Sequence, residues 1–208
     1  MTIANAYLKL KAILDEATAL FWTSANLHYY LSSGQTQATQ MLLQIEDTIR
    51  KTDGNYRHPD LAVLINYADL ALVNGTATSA LPTGHLRTLS AEVKYTGVTQ
   101  AWASEITLAE LGHKRGNTYS IPTVTDPVFY IVGATIGVFP VPDAGSGTVT
   151  SGHRYYKHPV AVTPSVQFIL EDNLHEAIIE YAAYMAFEQD GNTQEAQLHL
   201  QNFSGMIG

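Results

Sequence analysis

The hydrophobic period of the chain changes twice, from helical to alternating and back. Within residues 4 to 21, Ile13, Leu14, Ala17 and Phe21 follow Leu10 at offsets of 3, 4, 7 and 11, one face of an amphipathic helix. The stretch FWTSANL interrupts it. Thr23 or Ser24 is placed to cap a second helix by accepting from its first free amides. The stripe Leu27, Leu31, Gly34, Ala38, Met41, Ile45 and Ile49 then carries that helix to about Lys51, roughly 40 Å at 1.5 Å per residue.

The turn residues of KTDGNYRHPD end this helix, and Pro59 opens a predicted third, short one through Leu61, Leu64, Ile65 and Ala68. From NGTATSALPTG onward the pattern is that of strands: Leu86, Val93 and Tyr95, then Tyr119 and Ile121, then PVFYIVGATIGVFPVP with Gly133 and Ala134 as a hairpin turn. Residues 104 to 111, SEITLAEL, predict one or two helical turns. DAGSG reads as a flexible loop, and TVTSGHRYYKHP as a further, solvated strand.

Helical spacing returns at Asn173, which with Glu176 predicts a capping box, followed by the stripe Leu174, Ala177, Ile178, Tyr181 and Met185. Asp190-Gly191 stops that helix, Asn192 with Glu195 caps another, and Ala196, Leu200, Phe203 and Ile207 form its stripe. The predicted fold class is α+β. A bundle of about four helices, residues 1–52 and 171–208, forms the core; residues 53–80 are a variable connection; residues 81–170 are a small inserted antiparallel β-rich domain.

At 208 residues, 46% of them hydrophobic and 10% aromatic, the chain is long and apolar enough to bury a core. Only 14% are charged, which predicts a surface covered in part by partners. A net charge of -8 argues against a protein that grips nucleic acid, because phosphate binding needs clustered Lys and Arg and the eleven here are scattered. Lys157 is the last basic residue; Glu171, Asp172, Glu176, Glu180, Glu188, Asp190 and Glu195 follow it unopposed. That end is expected to repel DNA or seek a basic protein surface. Cysteine is absent, which removes disulfides, thiolate nucleophiles and thiolate metal sites. The charges within MTIANAYLKLKAILDEATALF are unlike a signal peptide, and no stretch approaches the roughly 18 apolar residues of a membrane span. Synthesis and use in a cytoplasm are expected, with no membrane contact.

No motif of catalysis is complete. His175-Glu176 with Glu180 invites a metal reading, but the two-histidine helical motif needs a second histidine at 179, where Ile179 stands. The acids are expected to cap helices or face solvent. GSGTVTSG lacks the Gly-Lys-Ser/Thr ending of a phosphate loop, and Ser146 lacks the Gly-x-Ser-x-Gly spacing of a nucleophile elbow. HRYYKHP has the aromatics to stack bases, but it alternates as a strand in an acidic chain. The eight histidines are spread over every segment. No cofactor, metal or enzymatic activity is expected.

Four segments in order, FWTSANLHYYLSSGQ, LPTGHLRTL, IGVFPVPDAGSGTVTSGHRYYKHP and LHEAIIEYAAYMAFEQDGNTQEAQLHLQNF, resemble bacteriophage head-to-tail adaptor proteins, the connector subunits under the portal. Trp22, Thr23, Tyr30, Leu31 and Gln35 match the family's opening helix, Leu81-Pro82 the start of its β domain, and Pro140 and Pro142 its Pro-x-Pro strand end. His175, Glu176, Ala177, Tyr181, Ala182 and Glu188 to Gly191 match its closing helix.

The resemblance implies a structural virion protein, a ring of twelve copies docked beneath the portal protein and offering its other face to a tail tube or nozzle protein. Double-stranded DNA passes through without specific binding. Leu200, Phe203, Met206 and Ile207 are the expected portal-docking edge, and Glu176, Glu180, Glu188 and Asp190 the acidic channel or partner face. Two other classes make distinct demands. A glycan-binding tail or host-surface module needs FYIVGATIGVFPVP and Tyr155-Tyr156 on an exposed face, and a hydrolase using His175 and its acids needs them gathered in a pocket.

Overall fold

The computed structural model describes residues 1–15, 21–54, 56–72, 75–76, 78–95, 101–142 and 149–207. They form two compact units: Met1–Leu64 with His158–Gly208, and Ile65–Lys157 between them.

The first unit is helical. Helix α1 (Ile3–Ile13) is capped by Thr2, whose hydroxyl accepts from the Asn5 N–H at 3.3 Å, and buries Ile3, Ala6 and Leu10. It ends eight residues before Phe21, with Asp15 at a φ of 53°, a left-handed conformation that Asp tolerates better than most side chains. Ala17 lies outside the described residues, and Phe21 is exposed. Helix α2 (Ser24–Arg50) starts on the Thr23 cap, whose hydroxyl accepts from the Asn26 N–H at 3.2 Å. A 3₁₀ turn (Pro59–Leu64) follows, burying Leu61 and Leu64.

A second 3₁₀ turn (Asp172–Leu174) precedes α4 (His175–Asp190), so the capping box expected at Asn173 does not form. Asn173 Nδ2 instead donates to Asp60 Oδ2 at 3.3 Å, and Glu176 pairs with Lys9. Helix α4 buries Ala177, Ile178, Ile179, Ala182, Ala183 and Ala186, more than one face, because α1, α2 and α5 (Thr193–Ile207) all pack on it. At Gly34 a Cβ would stand 2.5 Å from the Ile178 carbonyl oxygen, so the α2 and α4 backbones approach as closely as glycine permits. Gly191, at φ 80°, closes α4 in the left-handed conformation natural to glycine; Asn192 Oδ1 then accepts from the Glu195 N–H at 3.3 Å and starts α5.

The second unit carries β1 (Ile65–Leu72), β2 (Thr78–Ala80), β3 (His85–Lys94), β4 (Ala101–Glu105), α3 (Leu108–Arg115), β5 (Val128–Val132), β6 (Thr135–Phe139) and β7 (Val149–Lys157). The strand order is β1-β7-β3-β4-β5-β6-β2. Strands β4 and β5 pair parallel and the other neighbours antiparallel. The ends of that order, β1 and β2, are joined by a connection that spans at most about 22 Å. Seven flat strands would separate them by about 29 Å, so the sheet curls to bring its ends into contact. Leu70, Leu72, Ala91, Val93, Tyr95, Phe129, Ile136 and Val138 fill one core cluster. Burial pushes the Tyr95 phenol up to about 12, and its hydroxyl donates to the Pro140 carbonyl at 2.6 Å.

The chain is thus α+β, but not a four-helix bundle with a small antiparallel insert. The β-rich unit is nearly half the molecule, its sheet is mixed, and it has a helix of its own. Strand β1 occupies residues read as helical from Leu64, Ile65 and Ala68; pairing with β7 along its whole length overrides that spacing. Tyr119 and Ile121 lie in the loop after α3 and not in a strand. Strand β7 is not solvated: flanked by β1 and β3, it buries His153, Tyr155 and Tyr156. DAGSG lies outside the described residues.

Candidate interaction surfaces

The motif residues of the first unit act as staples. Gln35 is buried on α2; its Nε2 donates to the Val160 carbonyl at 3.0 Å and its Oε1 accepts from the Ile169 N–H at 2.7 Å. One side chain thereby fixes the returning chain at two points. Ser32 adds a third, its hydroxyl accepting from the Val162 N–H at 2.8 Å. Trp22 meets Tyr30 edge to face at 5.8 Å, and the Tyr30 hydroxyl donates to Gln189 near the end of α4. Periodicity marked these helices, but not which polar residue bridges to the chain after β7.

The expected acidic face divides in two. Glu176 is paired with Lys9, and Glu180 accepts from His199 Nδ1 at 2.8 Å and Asn202 Nδ2 at 3.0 Å, tying α4 to α5. Glu188 and Asp190, at the α4–α5 connection, are exposed. The Glu188 carboxylate pushes the neighbouring Tyr184 phenol up from its ordinary value. Of the four expected docking residues, Phe203 is buried with its ring 5.0 Å from Tyr181. Leu200 and Ile207 are half-buried, and Met206 is exposed.

A groove of about 870 Å³ runs along the first unit, between the amino-terminal half of α2, residues 159–164 and α4. Its lining includes Tyr29, Ser33, Thr36, Ala161, Tyr181 and Met185, and contains no Asp, Glu, Lys or Arg. The Ala161 N–H and C=O have no hydrogen-bond partner among the described residues. The groove is therefore uncharged, largely apolar, and edged by open backbone.

His175 meets Asp172 but neither Glu176 nor Glu180. It is buried against Phe168, its Nε2 2.9 Å from the Leu170 carbonyl and its Nδ1 3.2 Å from Asp172 Oδ1, while Glu176 and Glu180 turn to Lys9 and His199. Among the described residues no group of three or more His, Cys, Asp or Glu is placed to hold a metal ion. The histidines that do cluster are in the second unit, where His85, His153 and Tyr155 stack at 5.1 to 5.5 Å. Thr88 Oγ1 lies 3.0 Å from His85 Nε2 and 2.9 Å from His153 Nε2. Burial, with His85 beside it, pulls His153 down to about 4. Sequence spacing did not reveal this stack, because His85 on β3 and His153 on β7 are far apart in the chain and meet only once those two strands pair, with His85 opposite Lys157 and His153 opposite Ala91. The face a glycan module would need is largely internal: Val128, Phe129, Tyr130, Ile136, Val138, Tyr155 and Tyr156 are buried.

These features define a protein whose notable surfaces suit contact with other macromolecules: a neutral groove and an exposed acidic helical turn. The chain belongs to the SU10 adaptor protein family, whose model matches residues 1–208. It is accordingly a phage adaptor protein, a structural component of the virion. No curated protein matches the chain. Among the described residues no helix is long and apolar enough to cross a membrane.

Proposed function

We propose that the protein forms a ring of twelve copies that docks beneath the portal protein, extends the DNA channel and gives a tail tube or nozzle protein its attachment platform. The family match along the whole chain carries this reading. It is supported by the exposed Glu188 and Asp190 in a segment with no Lys or Arg after Lys157, since a channel wall of like charge lets a moving polyanion pass without adhering. The edge of α5 at Leu200, Met206 and Ile207, with Phe203 packed beneath, is the portal-facing surface, a helix edge suited to a groove. Assembly takes place in the host cytoplasm, and the protein is not an enzyme.

The test is to capture the tagged chain from a phage-producing lysate, identify its companions by mass spectrometry and average the particle rotationally. Portal and tail proteins in fixed ratio around a twelve-fold ring are expected. A monomer captured without any virion protein would overturn the reading. Met206→Asp, an exposed substitution that leaves Phe203 in place, is expected to weaken portal capture at least tenfold while the melting temperature holds.

A further inference from the structure

The loop between α3 and β5 presents an apolar knob led by Tyr119. Tyr119 is wholly exposed, and Ile121 and Val124 of the same loop are partly exposed. The loop is nevertheless fixed. The Asn117 side-chain oxygen accepts from the Tyr119 N–H at 3.1 Å, its carbonyl accepts from the Ser120 N–H at 3.0 Å, and Thr123 and Asp126 form a closed bridge. A tyrosine on a pre-ordered turn contributes contact area at little further entropic cost, which is why such residues anchor interfaces.

Charge indicates what the knob meets. Residues 117 to 125 contain no charged side chain, nor does the lining of the groove on the first unit. In a chain of net charge -8, copies repel one another over most of their surface, so self-association is least opposed where both faces are neutral. Knob and groove are unlike surfaces carried by different units of one chain, and a contact between unlike surfaces repeats from copy to copy, closing a ring where the rotation allows. The N–H and C=O of Ala161, without a hydrogen-bond partner among the described residues, can supply hydrogen bonds to an incoming backbone.

We infer that the Tyr119 loop of one copy seats in the neighbouring copy's groove between α2 and residues 159–164, as the repeating contact between subunits. This rests on the ring reading above and names the surfaces that would make the ring.

Because the chain has no cysteine, single-cysteine variants test it directly. Full-length Tyr119→Cys and Ser33→Cys chains, carrying different tags, are mixed under conditions where the wild-type chain assembles, then treated with a short thiol-reactive cross-linker. A mixed dimer at least tenfold more abundant than with either variant alone is expected. Tyr119→Ser, which alters only a solvent-exposed side chain, is expected to weaken self-association at least tenfold with an unchanged melting temperature. Assembly without the mixed cross-link overturns the inference and leaves the ring reading standing, as does a link formed only within a doubly substituted chain or to another virion protein. A wild-type chain that remains monomeric at every concentration, and with portal particles present, overturns both.

Discussion

Lowering the pH from 7 to 5 should destabilise the second unit through one side chain. His153 is fully buried on β7, opposite Ala68 of β1 and Ala91 of β3, with the rings of His85 and Tyr155 stacked on it. Its Nε2 is partnered by Thr88, while its Nδ1 has no partner among the described residues. A bare Nδ1 lone pair is tolerable in the neutral ring, but protonation would bury an N–H with nothing to accept it beside a second histidine. Burial first, and His85 second, thus lower the pKa from 6.5 to about 4. The unfolded chain takes up a proton below pH 6.5 while the folded unit resists until about pH 4, so stability falls through that window as the pH drops. At pH 5 the loss is about 2 kcal/mol, and below pH 4 it levels off near 3 kcal/mol. Trp102 on β4 reports the unit once Trp22→Phe removes the other indole. With a urea slope of about 1 to 2 kcal/mol per molar, the midpoint should fall by roughly 1 to 2 M between pH 7 and pH 5. His153→Phe should abolish most of that difference. An equal pH dependence in His153→Phe and the parent would refute the reasoning.

Three further outcomes are expected. Gln35→Leu leaves the Val160 carbonyl and the Ile169 N–H without their side-chain partner, and should cost about 2 to 4 kcal/mol in thermal unfolding of the first unit. Gly34→Ala drives a methyl group against the Ile178 carbonyl and should cost about 1 to 3 kcal/mol, whereas Ala at an exposed α2 position such as Gln40 should cost nothing measurable by the same denaturation assay. Tyr95→Phe removes the bond to the Pro140 carbonyl and should destabilise the second unit by about 1 kcal/mol; it should also remove a tyrosine that titrates near pH 12 by ultraviolet absorbance.

What the sequence made legible was local. The Thr23 cap, the Gly191 stop, the Asn192 cap and the hairpin at Gly133-Ala134 each depend on residues within four positions of one another, and each stands where spacing put it. What it hid was decided far along the chain. Ile65–Leu72 carries enough helical spacing to mislead, and becomes a strand because Val149–Lys157 lies alongside it. HRYYKHP alternates as an edge strand would, yet its neighbours bury both tyrosines. The docking edge expected on α5 did not distinguish Phe203, which packs inward on Tyr181, from Met206, which stays in solvent. The groove escaped sequence reading for the same reason: residues 24–37, 159–164 and 181–185 are one surface only after folding.

Strands β1 and β7 open and close the second unit, and they are partners: Ile65 sits opposite Tyr156 where the chain enters and leaves. The first unit therefore sees its long insertion as two adjacent chain ends, a gap that a short turn would span. Such a junction makes the β-rich unit exchangeable. Deletion, substitution or grafting between Leu64 and His158 leaves the helical unit's own chain path unbroken, so the staples of that unit do not depend on what the insertion carries.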